Sequence, residues 1–110
     1  MTFTEGSHDG VTSSDTAVVV VPSPSSSVKR IIKNVTIHNP MASESVNLTY
    51  YFDHGGSPRN IWKGTLNGGE TLIDDSIRVL DDTDKSIMAI LSSVPTTELH
   101  FSSSWGDDSP

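Results

Sequence analysis

Cysteine is absent from the chain, so neither disulfides nor thiolate metal sites can form, and redox chemistry says nothing about compartment. Long hydrophobic runs are absent too. The longest runs, such as Ala17 to Val21, are far short of the roughly 20 apolar residues of a membrane-spanning helix. The opening segment MTFTEGSHDGVTSSD has no basic stretch followed by an apolar one, so no secretion signal is expected; the chain reads as soluble, with no membrane partner. Basic residues are scarce: 7 Lys and Arg against 14 Asp and Glu leave a formal charge of −7. That balance opposes binding to a phosphate backbone, which needs clustered cations to displace counterions, so no nucleic-acid partner is expected. The one basic cluster, Lys29, Arg30 and Lys33, would be divided between two faces by a strand. Helical periodicity is also missing, since no long stretch places apolar residues at i, i+3, i+4 and i+7.

What is present is a succession of short Val-, Ile-, Leu- and aromatic-rich runs between turn clusters, an all-β pattern. The runs predict strands over Thr16 to Val21, Val28 to Asn39, Ser45 to Asp53, Asn60 to Leu66, Glu70 to Leu80 with a break at Asp74-Asp75, Ser86 to Ser92, and Glu98 to Trp105. The chain is long enough for one core. With hairpin-length connections the expected fold is an antiparallel β-sandwich of about seven to eight strands. Alternation assigns Ile31, Val35 and Ile37, then Val46, Leu48, Tyr50 and Phe52, then Leu99, Phe101 and Trp105 to core faces. The expected division is an N-terminal arm over residues 1–13, a sandwich domain over 14–105 and a C-terminal tail over 106–110. The arm offers only Phe3 and Val11 as sizeable apolar anchors, so it should be ordered only against another surface, its own domain or a neighbouring subunit. The tail GDDSP is an equally weak element.

The stretch VTIHNPMASESVNLTYYFDHGG poses the sharpest question of chemistry, because His38, Asp53 and His54 are metal-ligand types. If its two runs form a hairpin around PMASES, Asn39 should face Val46, Ile37 should face Leu48 and Val35 should face Tyr50. His38 would then lie roughly 20 Å from Asp53 along the strand, too far to share an ion. Asp53 and His54 together supply only two ligands, and His8 and His100 have no reason to join them. No metal site is expected; Asp53 and the Gly-Gly pair read as turn chemistry. The acidic cluster Asp81, Asp82 and Asp84 could offer oxygens to Ca²⁺ but lacks the glycine and later glutamate of an EF-hand loop, so it reads as a turn. Asp74-Asp75 reads as a solvated bulge. No serine sits in a nucleophile elbow, and no glycine-rich loop opens a helix around phosphate, so neither catalysis nor a cofactor is expected. Tyr51 and Trp62 could stack on sugar or meet a protein surface, and with Phe3 and Val11 they are the candidate contact residues.

From Val28 onward the order of parts resembles small β-sandwich accessory proteins in the virions of tailed bacteriophages. VKRIIKNVTIHN forms a long strand ending in Asn, SVNLTYYFDHGG a partner strand ending in a turn, and TLNGGETLIDDSIRVLDDTDKSIMAILSS a glycine turn and an Asp-rich turn before SIMAI; a Ser-rich strand follows. Where such proteins carry Gly-Asp before the strand that corresponds to SIMAI, this chain has Asp82-Thr83-Asp84-Lys85, a departure in that turn. The resemblance implies a non-enzymatic virion structural protein, a capsid decoration or cement protein on the outer capsid surface. Its implied partner is a major capsid protein or another virion protein, and its implied state a homo-oligomer, with a trimer favoured. The alternatives are a tail, neck or fibre component and, from a different class, a carbohydrate-binding sandwich module.

Overall fold

The structure, a computed structural model, describes residues 2–110. Nine strands follow one another: β1 (Thr2–Thr12), β2 (Val18–Val21), β3 (Lys29–His38), β4 (Val46–His54), β5 (Ser57–Leu66), β6 (Thr71–Asp74), β7 (Arg78–Leu80), β8 (Lys85–Leu91) and β9 (Leu99–Ser109). They form two antiparallel sheets, one ordered β1-β9-β3-β6 with β7 also on β3, the other ordered β2-β8-β4-β5. β6 pairs with Val35 to His38 and β7 with Arg30 to Ile32, so the two are halves of one interrupted strand along the same edge of β3. The break falls at Asp74-Asp75, as the polar pair in the sequence suggests. Counted this way, eight strands are distributed between the sheets in the manner of a jelly roll. The all-β antiparallel sandwich read from the sequence is the fold observed.

The core lies between the sheets. From β3 it takes Ile32, Val35 and Ile37; Ile31, expected on the core face, turns outward because a register shift between Ile32 and Asn34 breaks the alternation. From β4 the core takes Val46, Leu48 and Tyr50, from β8 Ile87, Ala89 and Leu91, and from β9 Leu99, Phe101 and Trp105. Each such burial contributes on the order of 1.5–3 kcal/mol for a large aliphatic side chain. Polar ties add to this core, among them the buried Ser103 hydroxyl of β9 donating to the Val20 carbonyl of β2 at 2.7 Å. Arg30 donates from Nε and Nη2 to both carboxylate oxygens of Asp107 while its guanidinium lies 4.5 Å from the Trp105 ring, and Nη1 reaches the carbonyl of Pro22. Tyr50 of one sheet donates its hydroxyl to Asp74 of the other at 2.9 Å. Asp74 also accepts from Arg78 Nε at 2.9 Å and from the Ser76 amide at 3.2 Å. It is thus an inter-sheet tie rather than a solvated bulge.

Desolvation would raise the Asp74 pKa, but the hydrogen bonds from Arg78, Tyr50 and the Ser76 amide, together with the Arg78 charge, outweigh it and hold the carboxyl below its ordinary range. Burial first, and then the Asp74 carboxylate, pushes the Tyr50 phenol up. A carboxyl whose folded pKa is depressed contributes stability above its unfolded value of about 3.9 and loses it as pH falls through the folded value. Asp74→Asn should therefore lower the melting temperature at pH 7, and the gap from the wild type should close as pH falls below about 3.9. A gap that stays constant down to strong acid would remove the ionised tie.

The expected β3–β4 hairpin is not formed. β3 pairs with β9, β6 and β7, and β4 with β8 and β5, so the two strands belong to opposite sheets. Alternation dictates which side chains face the core, and that demand is met equally by neighbours in one sheet or by strands facing each other across the core. The crossover between them is organised by Asn39, fully buried. Its Nδ2 donates to the carbonyls of Glu44 and Leu66, and its Oδ1 accepts from the Met41 amide. β4 instead makes its hairpin with β5 through Gly55-Gly56, whose φ values of 60° and 88° suit the left-handed central positions of a two-residue turn.

The segment expected as an arm lies on its own domain, its first residue being outside the described ones. β1 pairs with β9 without interruption, from Thr2 opposite Ser109 to Thr12 opposite Leu99. Residues 106–109, expected as part of a weak tail, are instead the far half of β9, because the two polar termini satisfy each other's backbone groups.

Candidate interaction surfaces

The four histidines are dispersed. His38 stands opposite His100 on the outer face of the five-stranded sheet, with Nδ1 2.8 Å from the Thr71 hydroxyl. His8 is half-buried, its ring 5.5 Å from that of Phe101. His54 closes β4 in the other sheet, with Nε2 3.4 Å from Asp84. Asp53 accepts a hydrogen bond from the Gly56 amide at 3.3 Å and so helps hold the β4–β5 turn. In the acidic cluster Asp81 pairs with Lys85 at 2.6 Å and Asp82 caps the Thr83 amide at 2.7 Å. Among the described residues no group of three or more His, Asp or Glu side chains is placed to hold a metal ion. The largest concavities are open grooves. One of about 420 Å³ lies on the outer face of the four-stranded sheet against Asn47, Thr49, Lys63, Thr65, Ile90 and Ser92, residues that do not assemble a nucleophile with a base.

The apolar surface is distributed more tellingly. Among the described residues seven large hydrophobic side chains are exposed: Phe3 at 54%, Val11 at 44%, Val19 at 40%, Ile73 at 63%, Ile77 at 79%, Val79 at 47% and Val94 at 66%. Four of them, Phe3, Val11, Ile73 and Val79, project from the outer face of the five-stranded sheet, and Ile77 lies in the β6–β7 connection at its edge. The register explains this. Phe3 lies against Gly106 of β9, Gly106 faces Ile31 of β3, and Ile31 faces Val79 of β7, so an apolar row crosses the sheet. Ile73 faces Thr36 further along. Charge on this face is mixed, with Lys33 2.9 Å from Glu5 and 5.6 Å from the Phe3 ring centre, and Lys29 facing Asp108.

Of the four candidate contact residues, Phe3 and Val11 therefore share one face. Tyr51 is half-buried on the outer face of the other sheet, in a row with Met88 and Val19. Trp62 faces inward opposite Tyr50 and packs against the core. Ile73, Ile77 and Val79 were not among the candidates. A signal for two of them exists in the sequence: Leu72-Ile73 and Val79-Leu80 are adjacent apolar pairs, and a strand must turn one member of each pair outward.

No family model and no curated protein matches the chain. Solved structures do. A structure of Bacillus endospore appendages, described as a novel family of disulfide-linked pili, superposes with a TM-score of 0.57 at 10% identity, over 99% of this chain and 88% of that one. The capsid asymmetric unit of cyanophage Pam1 gives 0.47 at 12% identity, over 99% and 84%. Infectious bursal disease virus, Gx strain, gives 0.42 at 9% identity over 94% of this chain and 32% of that one. The first likeness establishes a shared fold, and the neighbours come from a pilus and two virus particles.

Proposed function

We propose that the chain is a non-enzymatic virion structural protein of a tailed bacteriophage, a capsid decoration or cement protein that docks through the outer face of its five-stranded sheet. The observation that carries this reading is the apolar row from Phe3 through Ile31 to Val79 across that face, with Ile77 at its edge and Ile73 and Val11 exposed elsewhere on it. A sheet face that serves only solvent has no need of a row of exposed aliphatic and aromatic side chains, and such patches mark interaction surfaces. Mixed charge around an apolar centre is the composition of a protein-binding surface. The acidic net charge suits a site on the outer surface of a capsid, away from packaged DNA. Docking of many copies between capsid subunits would stabilise the assembled state alone. The pilus likeness supports an assembly role only through its fold; these residues hold no cysteine and cannot make disulfide links.

The test is co-sedimentation with empty capsids of the phage that carries this chain. Ile73→Lys combined with Val79→Lys should leave thermal unfolding within a few degrees of the wild type, because both side chains are exposed, while binding falls by roughly tenfold or more. Unchanged binding would refute the docking face. Binding to tail assemblies in place of capsids would favour a tail or neck component, and retention on immobilised oligosaccharide with no particle binding would favour the carbohydrate module.

A further inference from the structure

A sheet edge presents a row of unpaired backbone donors and acceptors, and proteins blunt such edges with short strands, bulges, proline and lysine. Among the described residues, three of the four sheet edges are blunted. β5 carries Pro58, Arg59 and Lys63 and a register shift opposite Tyr50 and Tyr51. β2 has four residues and a register shift of its own. The β6 and β7 edge consists of four- and three-residue pieces separated by the break after Asp74. β1 is the exception. It has 11 residues, TFTEGSHDGVT, with no proline, lysine or arginine, and its register against β9 is unbroken. At about 3.4 Å per residue its free side runs for roughly 35 Å.

We propose that β1 pairs antiparallel with β1 of a second copy, about a two-fold axis at Ser7, joining the two five-stranded sheets into one continuous sheet. The choice of occupant follows from the edges: where a single edge is open, a contact between identical chains must use it twice, which makes the contact isologous and closes it at two copies. The register follows from the side chains. Centred on Ser7, the pairing sets Phe3 opposite Val11 of the second copy, so the two exposed apolar residues of β1 cover one another on the outer face, twice over by symmetry. On the inner face His8 meets Gly6 of the second copy and Thr4 meets Gly10. Both glycines are already overlain in their own chain, Gly6 by the Trp105 indole and Gly10 by the Phe101 ring, where an added Cβ would come within 2.5 and 2.7 Å respectively. On the inner face, then, His8 and Thr4 would pack beside the Trp105 and Phe101 rings of the second copy. Two symmetry-related like-charge pairs result, Glu5 of each copy with Asp9 of the other, and Lys33, 2.9 Å from Glu5, stands beside each as counter-charge. A two-fold pair would also align two docking faces side by side, but it requires no capsid and is tested on the protein alone.

The lack of cysteine makes the test clean. Ser7→Cys would introduce the only thiol, and antiparallel pairing would bring the two copies' Cα atoms to about 4.5–5.5 Å, within disulfide range. Mild oxidation should convert this variant to a covalent dimer, whereas Thr4→Cys, displaced from its own copy by six residues, should stay unlinked. A mixture of Phe3→Cys and Val11→Cys proteins should link to each other and not to themselves. Sedimentation equilibrium of the unmodified protein should give twice the chain mass, with dimerisation weakened by roughly fivefold or more in Ser7→Lys and unchanged in Thr49→Lys on the other sheet. A monomer or trimer in sedimentation, equal linking at Thr4 and Ser7, or full dimerisation of Ser7→Lys would each overturn the proposal. Because none of these readouts involves a particle, their failure leaves the capsid-binding measurement unaffected.

Discussion

Replacing Asn39 with alanine is expected to destabilise the domain by roughly 3–5 kcal/mol, since a buried polar group left without its partner costs about 1–3 kcal/mol and three lose theirs at once. The Leu66 and Glu44 carbonyls lose the Nδ2 donor, and the Met41 amide loses the Oδ1 acceptor. The Asn39 backbone also holds the β5–β6 turn, its amide donating to Glu70 O and its carbonyl accepting from the Gly69 amide. A relaxed crossover would therefore loosen the connection in the opposite direction as well. In a domain of this size the loss corresponds to a drop of about 12 °C or more in melting temperature. Asn34→Ala, exposed on the same strand, is the comparison and should stay within about 0.5 kcal/mol. Urea melts of the two variants decide it: equal midpoints would mean that Asn39 does not organise the crossover.

The second large effect is at Leu48, where truncation to alanine should cost about 2–5 kcal/mol against about 0.5 kcal/mol or a little more for Thr49→Ala. Leu48 is 1% exposed on β4, which lies between β5 and β8, and is paired on both sides, with Gly64 and Leu91, so the space it leaves cannot collapse easily. Thr49 points outward between Lys63 and Ile90. Denaturant unfolding of both variants measures the contrast. Similar losses would mean that the inward and outward faces of β4 are reversed.

These two sites also show what could be read from the residues. Leu48 was legible because period-two alternation depends only on the side of the sheet, and β4 follows it over Val46, Leu48 and Tyr50; on β3 the register shift between Ile32 and Asn34 breaks it, which is why Ile32 and not Ile31 is buried. The partner of each strand was not legible: Ile37 and Leu48 satisfy alternation whether they lie side by side or face each other across the core, and only the buried Asn39, which looks in sequence like an ordinary strand end before proline, commits the chain to cross. The pairing of β1 with the far half of β9 was hidden for a related reason. Its energy comes from backbone groups and from aromatic rings resting on glycines, Trp105 on Gly6, Phe101 on Gly10 and Phe3 on Gly106, and none of these leaves an apolar pattern in either segment. The proposed docking face was half visible. Phe3 and Val11 stood out in polar surroundings, whereas Ile73 and Val79 were masked by inward-facing neighbours that already accounted for the strand.

Hydroxyl-radical footprinting of the protein free and bound to capsids tests the docking face most directly, because oxidation reports the exposure of individual side chains. Bound protein should show Ile73, Ile77 and Val79 protected several-fold, while Tyr51 and Met88 on the opposite sheet react as they do in the free protein. Protection of Tyr51 and Met88 with Ile73, Ile77 and Val79 unchanged would contradict it.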